Sequence, residues 1–177
     1  SEKMYQALED IALILEKMVS GEVDSKIYLS SLAPGIGKTQ TICFFLNLLL
    51  KDERYRDQGI LIGLSTYDEI ESYIERMGVD KSNMAILTSD KKLNGLGNSN
   101  QNEAQVLFTT QQRMDIKLKQ YENFSKAHEF YYKGKPRQIR IWDESFLPGK
   151  PITTRRDDLL FLIGALRRTH QDLAVEL

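Results

Sequence analysis

The sequence from Leu29 to Thr41 reads LSSLAPGIGKTQT, and it decides how the rest of the chain is interpreted. Two glycines, Gly35 and Gly37, flank one residue, and a lysine and a threonine follow at once. Glycine adopts backbone angles that other residues avoid, so successive N–H groups in such a turn can converge on one anion. A helix that begins directly after the turn adds the positive end of its dipole. The stretch predicts a phosphate-binding loop, and a plain glycine turn is the alternative.

Each residue of this loop has a predicted role. Lys38 would reach the outer phosphates of a nucleotide, and Thr39 would place its hydroxyl on Mg²⁺. The usual pattern begins with a glycine where this chain has Leu32, which we interpret as the last apolar residue of a preceding strand. The predicted nucleotide-binding residues are Pro34, Gly35, Ile36, Gly37, Lys38, Thr39 and Gln40.

Apolar runs typical of strands alternate with helical patterns along the whole chain. The predicted strands cover residues 26–32, 60–64, 84–87, 106–109 and 138–142, and the predicted helices cover residues 4–18, 38–51, 67–77, 111–121 and 155–168. The polar stretch 89–105 is predicted to be an exposed loop. Such alternation predicts an α/β fold with a mainly parallel sheet between two layers of helices, and ligands bind at the carboxyl ends of the strands in such sheets.

Composition limits the kind of protein this can be. The chain has 177 residues, of which 41% are apolar and 28% charged, which is typical of one soluble domain. Its net charge of −1 excludes a global positive field, so any basic surface for nucleic acid must be local. Cys43 is the only cysteine and lies in an apolar run too short to span a bilayer, so we expect a buried thiol. We predict a cytoplasmic protein that does not bind membranes.

A second motif follows the last predicted strand, where residues 139–145 read IRIWDES. Asp143 would hold Mg²⁺ through its water shell, and Glu144 would orient or deprotonate an attacking water. The alternative is an ordinary acidic pair at the end of a strand. The predicted catalytic residues are therefore Lys38 and Glu144, and the predicted metal ligands are Thr39 and Asp143.

Together, PGIGKT and WDES resemble the Walker A and Walker B motifs of P-loop ATPases. Between them, GILIGLSTYDEIESYIERM (residues 59–77) and AQVLFTTQQRM (residues 104–114) resemble the strand-to-helix motifs of superfamily 1 and 2 helicases and translocases. The resemblance covers residues 26–145. It implies a RecA-like P-loop NTPase domain with ATP and Mg²⁺ as cofactors, which couples hydrolysis to unwinding of nucleic acid or translocation along it.

The resemblance also implies a set of residues that contact a nucleic-acid backbone, with DNA favoured and either single-stranded or duplex polymer as partner. These residues are Ser65, Thr66, Thr109, Thr110 and Gln112. Hydroxyls at strand ends bond phosphate oxygens without reading sequence, but they are equally good helix caps. The stretch 117–140 mixes bases with aromatics and fits a single-strand path, or else its aromatics belong to the core.

The resemblance also shapes the expected domain organisation. Residues 1–25 are expected to form a helix that packs on the motor domain, and residues 26–177 to form the RecA-like ATPase domain. The family's motif III, second RecA-like lobe and arginine finger have no counterpart in the sequence, so a second lobe or a neighbouring subunit is the expected partner.

Other nucleotide-binding machines share parts of this pattern. The alternatives are a phage-type DNA-packaging ATPase, an AAA+ module, a P-loop kinase and a nucleotide-binding switch that does not hydrolyse. The interval of roughly 100 residues between Lys38 and Asp143 is long for an AAA+ module. Glu144 argues against the switch, because binding alone does not need that carboxylate.

Overall fold

The computed structural model describes residues 2–24, 26–121 and 124–143, and in this part of the chain four parallel strands form one sheet. The strands of this sheet are β1 (Ile60–Leu64), β2 (Met84–Leu87), β3 (Val106–Thr110) and β6 (Ile139–Trp142), in the order β2-β3-β1-β6. A small antiparallel hairpin pairs β4 (Tyr131–Tyr132) with β5 (Lys135–Pro136). The helices are α1 (Glu2–Ser20), α2 (Lys38–Lys51), α3 (Tyr67–Met77), α4 (Lys91–Asn94) and α5 (Gln111–Tyr121), with short 3-10 turns at Glu53–Tyr55, Lys81–Asn83, Phe124–Lys126 and His128–Phe130.

The register of the sheet places its carboxyl ends at one edge. Ile60 of β1 lies opposite Val106 of β3 on one side and Ile139 of β6 on the other. At the far end of the same ladder, Leu64 lies opposite Thr110. The carboxyl ends of β3, β1 and β6 therefore lie in that order along one edge of the sheet, since all three strands run in the same direction.

Both faces of the sheet are covered by helices. Alternate strand residues such as Ile62 and Phe108 belong to a core that also contains buried residues of α1, α2 and α3. The residues between them, such as Leu61 and Leu107, pack with Met114 of α5 on the opposite face. Side chains of a strand alternate between its two faces, so each strand contributes to both cores. The predicted α/β fold with a parallel sheet is confirmed.

Local signals fix the start and end of α3. Thr66 accepts a hydrogen bond from the backbone N–H of Glu69, and the Glu69 carboxylate accepts one from the backbone N–H of Thr66, which is a complete capping box. Gly78 ends the helix with φ of 55°, a left-handed conformation that favours glycine. The helix is therefore held at both ends, which matters for the position of the side chains on its buried face.

One predicted strand is wrong. Residues 26–32 form no strand, and the side chains of Ile27 and Leu29 are 88% and 90% exposed. Strand propensity reflects how well a side chain packs on a pleated, half-buried surface, and these side chains have no such surface beneath them. The helix before this segment agrees better with expectation, because Leu15 and Val19 of α1 join the same core as Leu46 of α2.

The stretch 89–105 is more ordered than a fully exposed loop. It contains α4, and the side chains of Leu93 and Ala104 are buried. A Cβ atom on Gly97 would lie 2.9 Å from the Cα of Ala85, so the segment crosses directly over β2. Absence of a side chain at Gly97 permits this approach. The predicted helix at residues 155–168 lies outside the described residues.

Candidate functional site

The predicted phosphate loop is a tight turn that leads directly into α2. Gly35 and Gly37 have φ of 79° and 109°, in the left-handed region that disfavours a side chain. Gly37 immediately precedes α2, and within the described part of the chain no side chain caps the N–H groups of the first helical turn. That turn contains no acidic residue. A long helix that starts uncapped beside a glycine turn is well suited to bind an anion.

Lys38 is the first residue of α2, and its ammonium turns back over the loop. Nζ donates to the carbonyl oxygen of Leu32 at 2.6 Å and to that of Ala33 at 3.0 Å. These acceptors are neutral backbone groups, so they orient the ammonium and leave its positive charge uncompensated. The charge therefore stays within the loop, where a bound phosphate would meet it.

The loop meets the end of β6 through one side-chain hydrogen bond. Thr39 Oγ1 donates to Asp143 Oδ2 at 2.7 Å, although 104 positions separate the two residues. Asp143 directly follows β6 and is only 7% exposed. Its main-chain oxygen accepts from Gln111 Nε2 at 3.2 Å, which fixes the backbone at this point. The structure thus brings together the two residues predicted to hold Mg²⁺.

A second side chain donates to the same carboxylate. The hydroxyl of Tyr73, in the middle of α3, donates to Asp143 Oδ2 at 2.5 Å. Burial raises the pKa of Tyr73 well above its ordinary value, and the negative charge of Asp143 raises it further, so the phenol is a neutral donor. The sequence pattern placed Tyr73 only on the apolar face of a helix. A buried tyrosine needs a partner for its hydroxyl, and that requirement was the available signal.

The donor set at this point suits Mg²⁺ held together with a nucleotide. The described residues contain no cluster of three or more His, Cys, Asp and Glu side chains, so they form no closed cage for a metal. Thr39 and Asp143 offer one hydroxyl and one carboxylate. Mg²⁺ is usually bound by one or two carboxylates, several waters and the phosphates of a ligand. Thr39 donates a hydrogen bond to Asp143, and the lone pairs of its oxygen remain available for a cation.

Cys43 lies behind the loop in the second turn of α2. It is buried, and burial raises the pKa of its thiol from 9.0 to about 11. The thiol is therefore protonated at neutral pH and has no nucleophilic role. This agrees with the expectation of a buried structural cysteine.

The other predicted residues of the loop and the acidic pair have different positions. Pro34 and Gln40 are exposed, and Ile36 is half-buried. Their backbone belongs to the turn and the first helical turn, which is the part that a phosphate would contact. Glu144 lies outside the described residues, so its catalytic role stays a prediction.

Ser65 and Thr66 follow β1, and the structure gives them different roles. The side chain of Thr66 is the N-cap of α3, and the backbone N–H groups of both residues donate to the Glu69 carboxylate. Their N–H groups are therefore satisfied within the helix terminus. The side chain of Ser65 is exposed at the carboxyl edge of the sheet. For Thr66 the structure supports the helix-cap alternative.

The two threonine hydroxyls at the end of β3 also differ in burial and in hydrogen-bond partner. Thr109 is fully buried, and its Oγ1 donates to the carbonyl oxygen of Leu87 at 2.7 Å, so it offers no surface to a polymer. Thr110 Oγ1 accepts from the backbone N–H of Arg113 and is half-buried. Gln112 is exposed. Of the residues predicted to contact nucleic acid, Ser65, Thr66 and Gln112 are exposed, and the side chain of Thr66 is already used as a helix cap.

The mixed stretch 117–140 is largely structural. Phe130 and Tyr132 are buried, as expected if the aromatics belong to the core. Lys117 lies 3.4 Å from the carboxylate of Glu129, and Arg137 is fully buried. These four residues therefore serve packing and internal contacts. Lys119, Lys133 and Lys135 of the same stretch are exposed, so its contact with single-stranded nucleic acid stays a prediction.

A groove of about 550 Å³ lies elsewhere, between α1 and α2. Its walls include the exposed apolar side chains of Leu13, Phe44 and Leu48, with carboxylates of α1 beside them. The lining contains neither the loop glycines nor Asp143. This groove is therefore separate from the site around the phosphate loop.

The composition of the helices also bears on membranes. Within the described ranges, no helix combines the length and the apolar character needed to cross a bilayer.

Comparisons with known protein families, with curated proteins and with solved structures found no significant match.

Proposed function

We propose that this chain binds Mg²⁺-ATP at the loop of residues 34–40 and hydrolyses it to drive movement along nucleic acid, as one lobe of a helicase-like motor. The hydrogen bond of 2.7 Å between Thr39 and Asp143 carries the proposal. It joins the first turn of the loop helix to the carboxyl end of a sheet strand. A glycine turn with no ligand function does not require a buried carboxylate at that position.

The residues of the site have separate roles in this proposal. The backbone from Gly35 to Gly37 receives the phosphates, and Lys38 places its charge on the outer ones. Thr39 and Asp143 hold Mg²⁺, which when bound neutralises charge on the phosphate oxygens. Glu144 orients or deprotonates the attacking water.

Contact with nucleic acid would use the same edge of the sheet. β1 lies between β3 and β6, so Ser65, directly after β1, and Gln112, in the first turn of α5, lie at the same edge of the sheet as Asp143. Hydroxyl and amide groups at such positions bond the phosphates of a polymer backbone and read no sequence. The near-neutral net charge of −1 means that this contact must be short and local. We favour DNA as the polymer.

Efficient turnover would need a second lobe or a neighbouring subunit. Phosphoryl transfer is accelerated by positive charge placed on the transferring group, typically from an arginine of a partner. Lys38 is the positive side chain that the described part of the loop supplies. We therefore expect the chain to bind ATP and to hydrolyse it slowly without that partner.

The proposal is tested by measuring ATP hydrolysis by the chain in Mg²⁺, with and without single-stranded DNA. Lys38→Ala should abolish turnover, whereas Lys51→Ala, which removes an exposed lysine from the other end of α2, should leave it unchanged. Glu144→Gln should retain ATP binding and lose hydrolysis. Turnover that survives both Lys38→Ala and Glu144→Gln would contradict the assignment of the site.

Other outcomes would point to the alternatives. ATP binding with no hydrolysis, even when Glu144 is intact and a partner lobe is present, would indicate a nucleotide-binding switch. Hydrolysis without unwinding of duplex DNA by the assembled protein would favour a packaging or AAA+ machine. Both outcomes keep the nucleotide site and change only the work that it drives.

A further inference from the structure

Tyr73 combines a core position with a polar contact at the edge of the sheet. It lies in the second turn of α3, is 1% exposed, and its ring meets that of Phe108 at a centroid distance of 5.9 Å. The hydroxyl of Tyr73 takes no part in this ring contact and donates a hydrogen bond to the carboxylate of Asp143. A phenylalanine would fill the same space in the core, so packing alone does not explain the hydroxyl.

The carboxylate of Asp143 receives its side-chain donors on one oxygen. Thr39 and Tyr73 both donate to Oδ2, from two different helices. Two donors on one oxygen fix the plane of the carboxylate and direct Oδ1 away from both of them. A single donor would leave the group free to rotate about its side-chain bond.

The chemistry of the Tyr73 donor is also selective. A lysine or arginine at position 73 would neutralise Asp143 and compete with a metal ion for it. A phenol donates a hydrogen bond and adds no positive charge. Tyr73 can therefore orient the Asp143 carboxylate without adding a positive charge that would compete with a metal ion.

We propose that Tyr73 is a positioning residue for the metal-holding carboxylate, and that its hydroxyl sets how strongly Mg²⁺ promotes nucleotide binding. This inference rests on the proposed function, since it assumes that Asp143 takes part in holding Mg²⁺. Hydrogen bonds behind a metal ligand are worth about 10- to 100-fold in metal affinity in other proteins. In the proposal the loop binds phosphate through backbone N–H groups and Lys38, whereas the hydroxyl of Tyr73 acts on side chains of the metal site.

The test compares Tyr73→Phe with Tyr132→Phe. Tyr132 is also buried, and its hydroxyl donates to the carbonyl oxygen of Arg56 at 2.8 Å, at the opposite end of the sheet. Binding of ATP is measured by titration calorimetry, first in EDTA and then over a series of Mg²⁺ concentrations. Tyr73→Phe should raise the Mg²⁺ concentration at half-effect about tenfold and leave the affinity in EDTA within about twofold of wild type. Tyr132→Phe should change neither quantity.

The outcomes separate the inference from the proposed function. If wild type binds no nucleotide under either condition, the proposed function and the inference are both wrong. If wild type shows Mg²⁺-dependent binding and Tyr73→Phe matches Tyr132→Phe, only the inference is wrong. A loss of affinity in EDTA for Tyr73→Phe would also overturn it, because that result indicates damage to the loop and not to the metal ligand.

A second measurement covers the case in which Tyr73→Phe does not fold. The wild-type sequence is labelled with 3-fluorotyrosine, and its ¹⁹F spectrum is followed as Mg²⁺ is added in the presence of ATP. The signal of Tyr73 should shift with the same midpoint as nucleotide binding, and that of Tyr132 should not. A Tyr73 signal that ignores Mg²⁺ would contradict the role we assign to it.

Discussion

Each end of the parallel sheet has one buried charged side chain among the described residues, and the two side chains differ in their hydrogen-bond partners. At the amino end, the Arg137 guanidinium donates to four backbone carbonyl oxygens at 2.6–3.2 Å, those of Ile60, Gln101, Ala104 and Gln105. At the carboxyl end, Asp143 accepts from the side chains of Thr39 and Tyr73, beside an uncapped helix start.

This difference separates a structural charge from one available to a ligand. Arg137 is fully buried, and its partners belong to strands and loops that it ties together. Burial lowers the pKa of Arg137 to about 9, which still leaves the guanidinium charged at neutral pH. Among the described residues, the side chains that donate to the Asp143 carboxylate are neutral hydroxyls, which do not compete with a cation for it. This contrast supports the proposal that the amino end maintains the fold and that the carboxyl end is the place where a ligand would bind.

The largest expected effect comes from removing the amino-end charge. Arg137→Met leaves four buried carbonyl oxygens without that donor, and we expect a loss of about 3–5 kcal/mol in the free energy of unfolding. Urea denaturation measures this loss. Arg54→Met, which removes an exposed arginine, is the control and should change stability little. If Arg137→Met weakened nucleotide binding by the folded protein, the two ends would not be independent.

Replacement of a loop glycine should affect stability and binding together. Gly37→Ala places a side chain at φ of 109°, and we expect a cost of about 1–2 kcal/mol in stability together with loss of ATP binding. Gly21→Ala is the matched control, because Gly21 also has a positive φ of 75° but lies in the turn after α1. Chemical denaturation and calorimetry give both quantities. Equal loss of ATP affinity in the two variants would show that the loop conformation is not special.

Ser65 and Thr66 should separate capping from polymer contact. Thr66→Ala removes the N-cap of α3 and should cost about 1 kcal/mol, while Thr66→Ser should retain most of that stability. Ser65→Ala should leave the melting temperature unchanged and weaken binding of single-stranded DNA, as measured by fluorescence anisotropy. If Ser65→Ala lowered the melting temperature and Thr66→Ala weakened only DNA binding, the assignment of capping to Thr66 and of polymer contact to Ser65 would be wrong.

The smallest effect is expected at Cys43, the only cysteine of the chain. Its pKa of about 11 predicts that a thiol reagent reacts very slowly with the folded protein at pH 8 and only becomes efficient near pH 11. Between about pH 9 and 11 the unfolded chain loses this proton first, so Cys43 lowers the stability of the folded state as pH rises. Rates of thiol labelling over this pH range, in buffer for the folded protein and in urea for the unfolded chain, give the two pKa values on which both effects depend. Rapid labelling of the folded protein at pH 8 would contradict the burial of α2.

Much of the fold could be predicted from apolar periodicity. The bounds of α2, β1, α3, β2 and α5 agree with the predicted ones, because long periodic runs with Gly or polar residues at their ends carry a strong signal. The prediction of a strand at residues 26–32 was wrong. The composition of this segment suits a strand, but the apolar side chains of Ile27 and Leu29 do not pack against the rest of the protein. The hairpin of β4 and β5 has two residues per strand, too few for any pattern.

The site was predictable in part for a related reason. Loop glycines, Lys38, Thr39 and Asp143 belong to short motifs whose spacing reflects their chemistry. Tyr73 and Arg137 were missed because their partners are a distant side chain and backbone carbonyl oxygens. A periodic pattern tells which face of an element is buried, but it carries no information on what a buried polar atom will contact.

The central claim is that the carboxyl end of the sheet holds Mg²⁺-ATP, and the most direct test is equilibrium binding of ATP in Mg²⁺. Calorimetry would compare wild type, Lys38→Ala, Asp143→Asn and the control Lys51→Ala. We predict an affinity about 10- to 100-fold weaker for Lys38→Ala, which loses a charged hydrogen-bond donor, and loss of the Mg²⁺ effect for Asp143→Asn. Equal affinity in all four proteins, or no binding by wild type, would contradict the claim.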